Sequence, residues 1–244
     1  MIVWIGWDPA EMVAANVATH SLRSKAAFTP SIHRLSMLEL RQKGVYIRET
    51  DWHAETHSLW DGPSNAPMSS EHAITRFFVP YLAGYKGWAL FVDGDVLFRA
   101  DVGDLFALAD DRYAVMVVQH PPLLKEGLKK RNQPQTAYAR KNWSSVCLWN
   151  AGHPAHRTLT LEELNTWPGR DLHAFKWLKD DEIGALPARW NHLVNVNPPD
   201  PDPALVHFTE GTPNLPGHDQ DPFADEWFAV ASACGYKFPR KVVA

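Results

Sequence analysis

A single α/β domain is the fold that this sequence predicts, and three observations predict it. The chain opens strand–turn–helix, an arrangement typical of sheets that bind nucleotides at their strand ends. Short apolar runs at Trp88–Val92, Tyr113–Val118 and Ala204–Phe208 read as buried strands, with helical patterns between them. Over 244 residues there is no internal repeat, low-complexity tract or flexible linker, so residues 1–244 are read as one domain.

The elements follow in order. Met1 to Gly6 is a β-branched apolar strand, and Gly6-Trp7-Asp8-Pro9 is a tight turn. Asp8 suits an N-cap, Pro9 the first helical position, and Glu11 completes a capping box. Val13, Ala14, Val17, Ala18 and Leu22 then mark one helical face, which ends before Pro30. Neither a dinucleotide glycine fingerprint nor a P-loop is present. Ser31 to Leu35 is a second strand. Residues 41–68 are mixed and polar. His53 and His57 have the i,i+4 spacing of a metal pair, but Gly62, Pro63 and Pro67 favour loop over helix. Ser69 or Ser70 caps a helix to about Tyr81 with Ile74, Phe77, Phe78 and Tyr81 as its buried stripe. Arg76 lies off that stripe and faces solvent or a cleft, where a phosphate or carboxylate would suit it.

The stretch Trp88 to Phe98 organises the rest. An apolar strand runs into Asp93-Gly94-Asp95. In extended backbone, residues i and i+2 share a side, so the two carboxylates face one point. Gly94 between them lets a ligand approach the main chain. Two hard oxygen donors suit Mg²⁺ or Mn²⁺, which in turn would hold a diphosphate. The competing reading is a solvated acidic turn.

Further along, Leu105–Leu108 is helical and Tyr113–Val118 is an interior strand. Residues 121–142 form a long polar segment carrying Lys125, Lys129, Lys130, Arg131, Arg140 and Lys141. It reads either as a solvated basic loop or as a flap over an anionic substrate. Trp143–Asn150 is a strand, with Cys147 as inert core. Helices are expected within His153–Leu164 and Asp171–Leu178. Three acids, Asp180, Asp181 and Glu182, precede a strand at Val194–Val196. Ala204–Phe208 carries His207 near its end, and a glycine/proline loop follows it. The aromatic C-terminal tail, with Trp227 and Phe228, packs on the domain or touches a membrane; packing is favoured.

Composition narrows the function classes. At 45% hydrophobic and 21% charged residues with a net charge of −4, the chain is an ordinary globule with no global attraction for nucleic acid. No apolar run approaches the roughly 18 residues of a membrane span, and the N-terminus has no basic signal-peptide region. Two cysteines make neither a disulfide framework nor a zinc pattern, so the cytoplasm is the expected compartment. Eleven tryptophans, several beside polar residues, lean towards ligand platforms.

Together these pieces resemble a family. Phe91-Val92-Asp93-Gly94-Asp95-Val96-Leu97-Phe98 resembles the Asp-x-Asp strand of GT-A glycosyltransferases. Arg76-Phe77-Phe78-Val79-Pro80, Ser144–Asn150, Asp180-Asp181-Glu182 with Leu186-Pro187-x-x-Trp190-Asn191, and Val206-His207-Phe208 with Gly211 resemble, in order, further motifs of its retaining, glycogenin-like group. That group includes lipopolysaccharide galactosyltransferases. The resemblance implies a single mixed, mostly parallel sheet flanked by helices. It also implies a nucleoside-diphosphate sugar donor, usually UDP-linked, and transfer with retention to a glycan, lipid-linked or small-molecule acceptor. By matching positions, Asp93, Asp95 and His207 would ligate Mn²⁺ or Mg²⁺, with the imidazole favouring Mn²⁺. Arg76 and Gly211 would lie near the phosphates or sugar, Gly6, Trp7 and Asp8 by the base and ribose, and Gly94 between the ligands. Asp181, with Glu182, would face the donor sugar.

The chain departs from the pattern in three places. Glu182 stands where the family often has Gln. Trp143-Ser144-Ser145 replaces Asn-Ser/Ala-Gly. The His207–Gly211 interval is one residue longer than the family's, and its loop lacks the family's lysine, for which Lys141, Lys129 or Arg131 could substitute. Two other readings are a non-catalytic nucleotide-sugar or glycan-binding relative, and a haloacid dehalogenase-like phosphohydrolase built on Asp93-x-Asp95.

Overall fold

Alternation along the central strands decides the architecture. Ala89 and Phe91, Val115 and Val117, and Cys147 and Trp149 point into one apolar core. Leu90 and Val92, Met116 and Val118, and Val146 and Leu148 point into another. A sheet that buries both faces must be covered on both sides. The computed structural model describes residues 1–54, 58–121, 127–129, 133–135, 140 and 142–238.

The central sheet has six strands, in the spatial order Ile183–Ala185, Val115–Val117, Val146–Asn150, Trp88–Val92, Ile2–Trp7, Ser31–Ser36. Only Val146–Asn150 pairs antiparallel with its neighbours; the other five strands point the same way. Their carboxyl ends therefore gather at one edge, together with the start of Val146–Asn150. The predicted strand–turn–helix order holds, but Asp8 caps a separate 3₁₀ turn at Pro9–Glu11 by accepting from the Ala10 amide, and the helix Met12–Lys25 follows without the expected capping box.

A second sheet of three short strands joins His192–Leu193, Leu205–His207 and Val96–Phe98. The helix Ala224–Ala233 closes it with the fully buried Trp227, which packs with Val17, Leu97, Val206 and Phe208. The tail up to residue 238 thus packs on the domain, the Phe238 ring lying tilted against Trp227 with centroids 5.8 Å apart. Among the described residues, no helix is long and apolar enough to cross a membrane.

Several expectations change. The strand expected at Val194–Val196 is His192–Leu193, with those residues in the turn after it, and Tyr81 is exposed rather than part of a buried stripe. Residues 41–68 are not plain loop: Thr50–His53, Ser58–Asp61 and Ala66–Met68 form an antiparallel sheet. Arg48 anchors it, fully buried and bonded to both carboxylate oxygens of Asp61 at 2.5 and 2.6 Å. His53 stacks on Trp60 there, and His57 lies outside the described residues. The helix expected to reach Tyr81 is broken into His72–Thr75, a 3₁₀ turn at Arg76–Phe78, and Val79–Leu82. Pro80 explains the break, because its ring excludes the hydrogen bond to the Arg76 carbonyl that an α-helix would make. Finally, Trp143–Ser145 is a 3₁₀ turn ahead of its strand.

Candidate metal centre

Asp93-Gly94-Asp95 is not extended. It is the turn between Trp88–Val92 of the large sheet and Val96–Phe98 of the small one. The carboxylates still converge, because the turn folds them over the sheet's carboxyl edge. His207 arrives by register: it pairs with Val96, and the Phe208 amide donates to the Asp95 carbonyl at 3.0 Å. His207 Nε2 lies 3.2 Å from Asp95 Oδ1 and 3.8 Å from Asp93 Oδ2. One ligand atom from each of the three residues lies within 4.8 Å of the others.

The surroundings fix each group. Asp93 pairs its Oδ1 with the Arg76 Nη2 at 2.7 Å, with His72 Nε2 at 3.5 Å, and keeps Oδ2 towards His207. Arg76 is buried. Besides Asp93 it bonds the Ser144 carbonyl at 2.8 Å and the His72 carbonyl at 3.3 Å, and its guanidinium lies over Phe91. Its position is therefore internal rather than solvent-facing, and its charge is directed at Asp93. His207 is buried beside it, and its Nδ1 faces Asn191 Oδ1 at 3.0 Å. The donor set fits a divalent cation: two carboxylate oxygens and a ring nitrogen converge, and one arginine offsets one of the two negative charges.

Next to this cluster the cleft wall is made by Glu11, Ser69, Ser70, His72 and Thr209. Ser69 also borders a cavity of about 560 Å³ lined by Asp61, Ser64, Met68, Ile74, Arg170 and His173, among others.

The other predicted site residues divide. Asp8 is buried at the same edge, but both of its oxygens hold backbone: Oδ1 accepts from Ala10 at 2.8 Å and Oδ2 from Glu71 at 3.1 Å. Trp7 carries Arg34 over its ring at 4.2 Å. Gly6 and Gly94 have packing reasons that need no ligand. A Cβ on Gly94 would lie 2.7 Å from the Gly6 carbonyl oxygen, and a Cβ on Gly6 would lie 2.6 Å from the His72 ring. Gly211 likewise makes room for His218, whose Nε2 a Cβ would meet at 2.4 Å. Lys141 and Arg131 lie outside the described residues; of Lys129 only its place in the strand Gly127–Lys129 is described.

Asp181 and Glu182 are a correction. Ile183 pairs with Val115, Val115 with Trp149, and Trp149 with Ala89. Residues 181 and 182 therefore precede the sheet at the end opposite Asp93, about 13 Å away at 3.3 Å per residue from Ala89 alone. Asp181 is exposed, and Glu182 accepts from the Lys179 amide at 2.8 Å as a turn brace.

Sequence reasoning missed four participants. His72 sits four residues before Arg76, a spacing that puts two helical residues on one face. His120 follows the strand Val115–Val117, and its ring is pushed down to about 4, chiefly by burial and less by the nearby His207 and His192 rings. Ser144 and Ser145, read only as a departure from a motif, brace the site: Ser144 takes Arg76, and the Ser145 carbonyl takes the Asp93 amide at 2.9 Å. Cys147 is buried core as expected, its thiol pushed far up by burial.

No protein-family model matches the chain. It is 40% identical over 230 residues to Protein CDI of Arabidopsis thaliana, covering 92% of this chain and 83% of that one. The chain belongs to the CDI family. Solved structures show the fold this CDI-family member adopts. The WbbM bifunctional glycosyltransferase matches with a TM-score of 0.62 at 14% identity, over 95% of this chain. This chain spans only 49% of WbbM. The galactosyltransferase LgtC, in complex with donor and acceptor sugar analogues, matches with a TM-score of 0.59 at 14% identity over 96% of both chains. The fold is thus GT-A, as the motif order implied.

Proposed function

We propose that this CDI-family protein is a metal-dependent glycosyltransferase that takes its sugar from a nucleoside-diphosphate donor. The observation that carries the reading is the convergence of Asp93 Oδ2, Asp95 Oδ1 and His207 Nε2 at the carboxyl edge of a GT-A sheet. Open α/β sheets bind their ligands at that edge. Asp93, Asp95 and His207 would hold the ion, and the nitrogen ligand favours Mn²⁺ over Mg²⁺. When bound, the ion neutralises the diphosphate and so stabilises it as a leaving group.

The residues of the chain supply the rest. Arg76, held inside, keeps Asp93 oriented with one oxygen towards the cluster. The cavity bordered by Ser69 is the space for the transferred sugar, and its serine and arginine side chains suit hydroxyl groups. A UDP-linked donor and retention of configuration are carried by the resemblance to the glycogenin-like group; the acceptor would be a glycan, lipid-linked or small hydroxyl compound. The GT-A fold speaks against a haloacid dehalogenase-like hydrolase. The reading of a binding-only relative rests on the missing lysine after His207.

A panel of UDP-, GDP- and TDP-sugars, each with and without Mn²⁺, tests the proposal through released nucleoside diphosphate. Turnover of one donor that needs Mn²⁺ and vanishes in Asp95→Asn is expected. Mn²⁺-dependent donor binding with neither transfer nor hydrolysis would favour the binding-only relative. No response to any donor would overturn the proposal.

A further inference from the structure

Asn191 ends the 3₁₀ turn Ala188–Trp190 and is fully buried. Its amide is oriented by its neighbours. Nδ2 lies 2.9 Å from Ser145 Oγ and 3.4 Å from the Asn142 carbonyl, while Ser145 Oγ itself donates to that carbonyl at 2.7 Å. A carbonyl only accepts, and a hydroxyl has one proton, so Nδ2 must be the donor to both. Oδ1 is thereby directed at His207 Nδ1, 3.0 Å away, as an acceptor. An acceptor at that place requires a proton on Nδ1, which leaves the lone pair on Nε2. Nε2 is the nitrogen that faces Asp95 and Asp93.

We propose that Asn191 is a positioning residue for metal binding: with Ser145 and the Asn142 carbonyl behind it, it holds His207 in the Nδ1–H tautomer and presents Nε2 as a ligand. The inference rests on reading Asp93, Asp95 and His207 as a metal centre. It extends that reading to a relay that reaches back through the 3₁₀ turn at Trp143–Ser145. The same turn takes Arg76 through Ser144, so adjacent serines brace both the carboxylate and the imidazole side of the centre. Without Asn191, a buried Nδ1–H would lack its acceptor. The ring would then gain by moving its proton to Nε2 and donating to Asp95, which removes the ligand.

The test is Mn²⁺ affinity by electron paramagnetic resonance, together with metal-free melting temperature, on Asn191→Ala, Asn191→Leu, Asn191→Asp and Asp95→Asn. Outer-shell partners of metal ligands contribute about 10- to 100-fold in affinity. Asn191→Ala and Asn191→Leu should weaken Mn²⁺ binding by that factor, whereas Asn191→Asp, which still accepts from Nδ1, should stay within a few-fold of wild type. A merely structural asparagine would lower the melting temperature of all three variants without this order, and wild-type affinity in Asn191→Leu would overturn the assignment. Should the apolar variants not fold, nitrogen-15 spectra of the wild type loaded with Zn²⁺ decide. A proton on His207 Nδ1 is expected, and a proton on Nε2 overturns the proposal. If the wild type binds Mn²⁺ no better than Asp95→Asn, the metal centre itself is refuted, which is a separate result.

Discussion

Replacing Arg76 by methionine and Asp93 by asparagine, singly and together, measures the internal half of the centre. The Arg76–Asp93 contact is 2.7 Å, with side chains only 6% and 13% exposed. Two unit charges about 4 Å apart attract by about 4 kcal/mol at an effective dielectric constant near 20, before desolvation is set against it. Breaking a buried pair by removing one partner typically costs about 3–5 kcal/mol, because the other charge stays buried. Arg76→Met also takes a donor from the Ser144 carbonyl. It should therefore lose about 3–5 kcal/mol, and Asp93→Asn somewhat less. The double variant should be more stable than the sum of the single losses by about 2–3 kcal/mol. Urea unfolding in metal-free buffer with chelator supplies all four corners of the cycle. Additivity within about 0.5 kcal/mol would mean that the pair does not couple. Arg76 would then be available to a ligand, and its predicted contact with the donor phosphates would regain force.

Other consequences follow from single side chains. His156 is buried against the Ala114 carbonyl and its ring is pushed down to about 4, chiefly by burial. The unfolded chain takes up that proton near pH 6.5 and the folded one only near 4. Stability should therefore fall as the pH drops through this window, by roughly 3 kcal/mol from this group; a flat urea-unfolding profile, or one unchanged in His156→Asn, would contradict it. Gly94→Ala should destabilise by about 1–3 kcal/mol and weaken Mn²⁺ binding, since its Cβ meets the Gly6 carbonyl oxygen at 2.7 Å. A wild-type melting temperature in that variant would refute the packing argument. Asp181→Asn should leave donor turnover within about two-fold of wild type, consistent with its exposed place at the far end of the sheet. A collapse of kcat would mean that the site extends there.

The parts of the site legible in the sequence were those whose chemistry lies in residue type. Asp93 and Asp95 stood out because two carboxylates behind a buried strand need a reason, and His207 because a histidine closes another such strand. Supporting groups were less legible, because their partners are remote: Ser144 and Arg76 are 68 residues apart, and Asn191 and His207 are 16 apart. Asp181 and Glu182 were misjudged because a cluster of acids before a strand does not say which end of the sheet it occupies; only the pairing of Ile183 with Val115 decides that. Gly94 was read for a ligand and is required by Gly6. The meander around Trp52 and Trp60 was hidden because its glycine- and proline-marked turns read as loop, and the buried Arg48–Asp61 pair that anchors it leaves no apolar pattern.

Crystals grown with Mn²⁺ and UDP, measured at the manganese edge, test the central claim most directly. The account predicts one strong anomalous peak within bonding distance of Asp93 Oδ2, Asp95 Oδ1 and His207 Nε2, with the diphosphate on its open side. An anomalous map without a peak at those three atoms, in crystals where UDP is bound elsewhere or not at all, would contradict it.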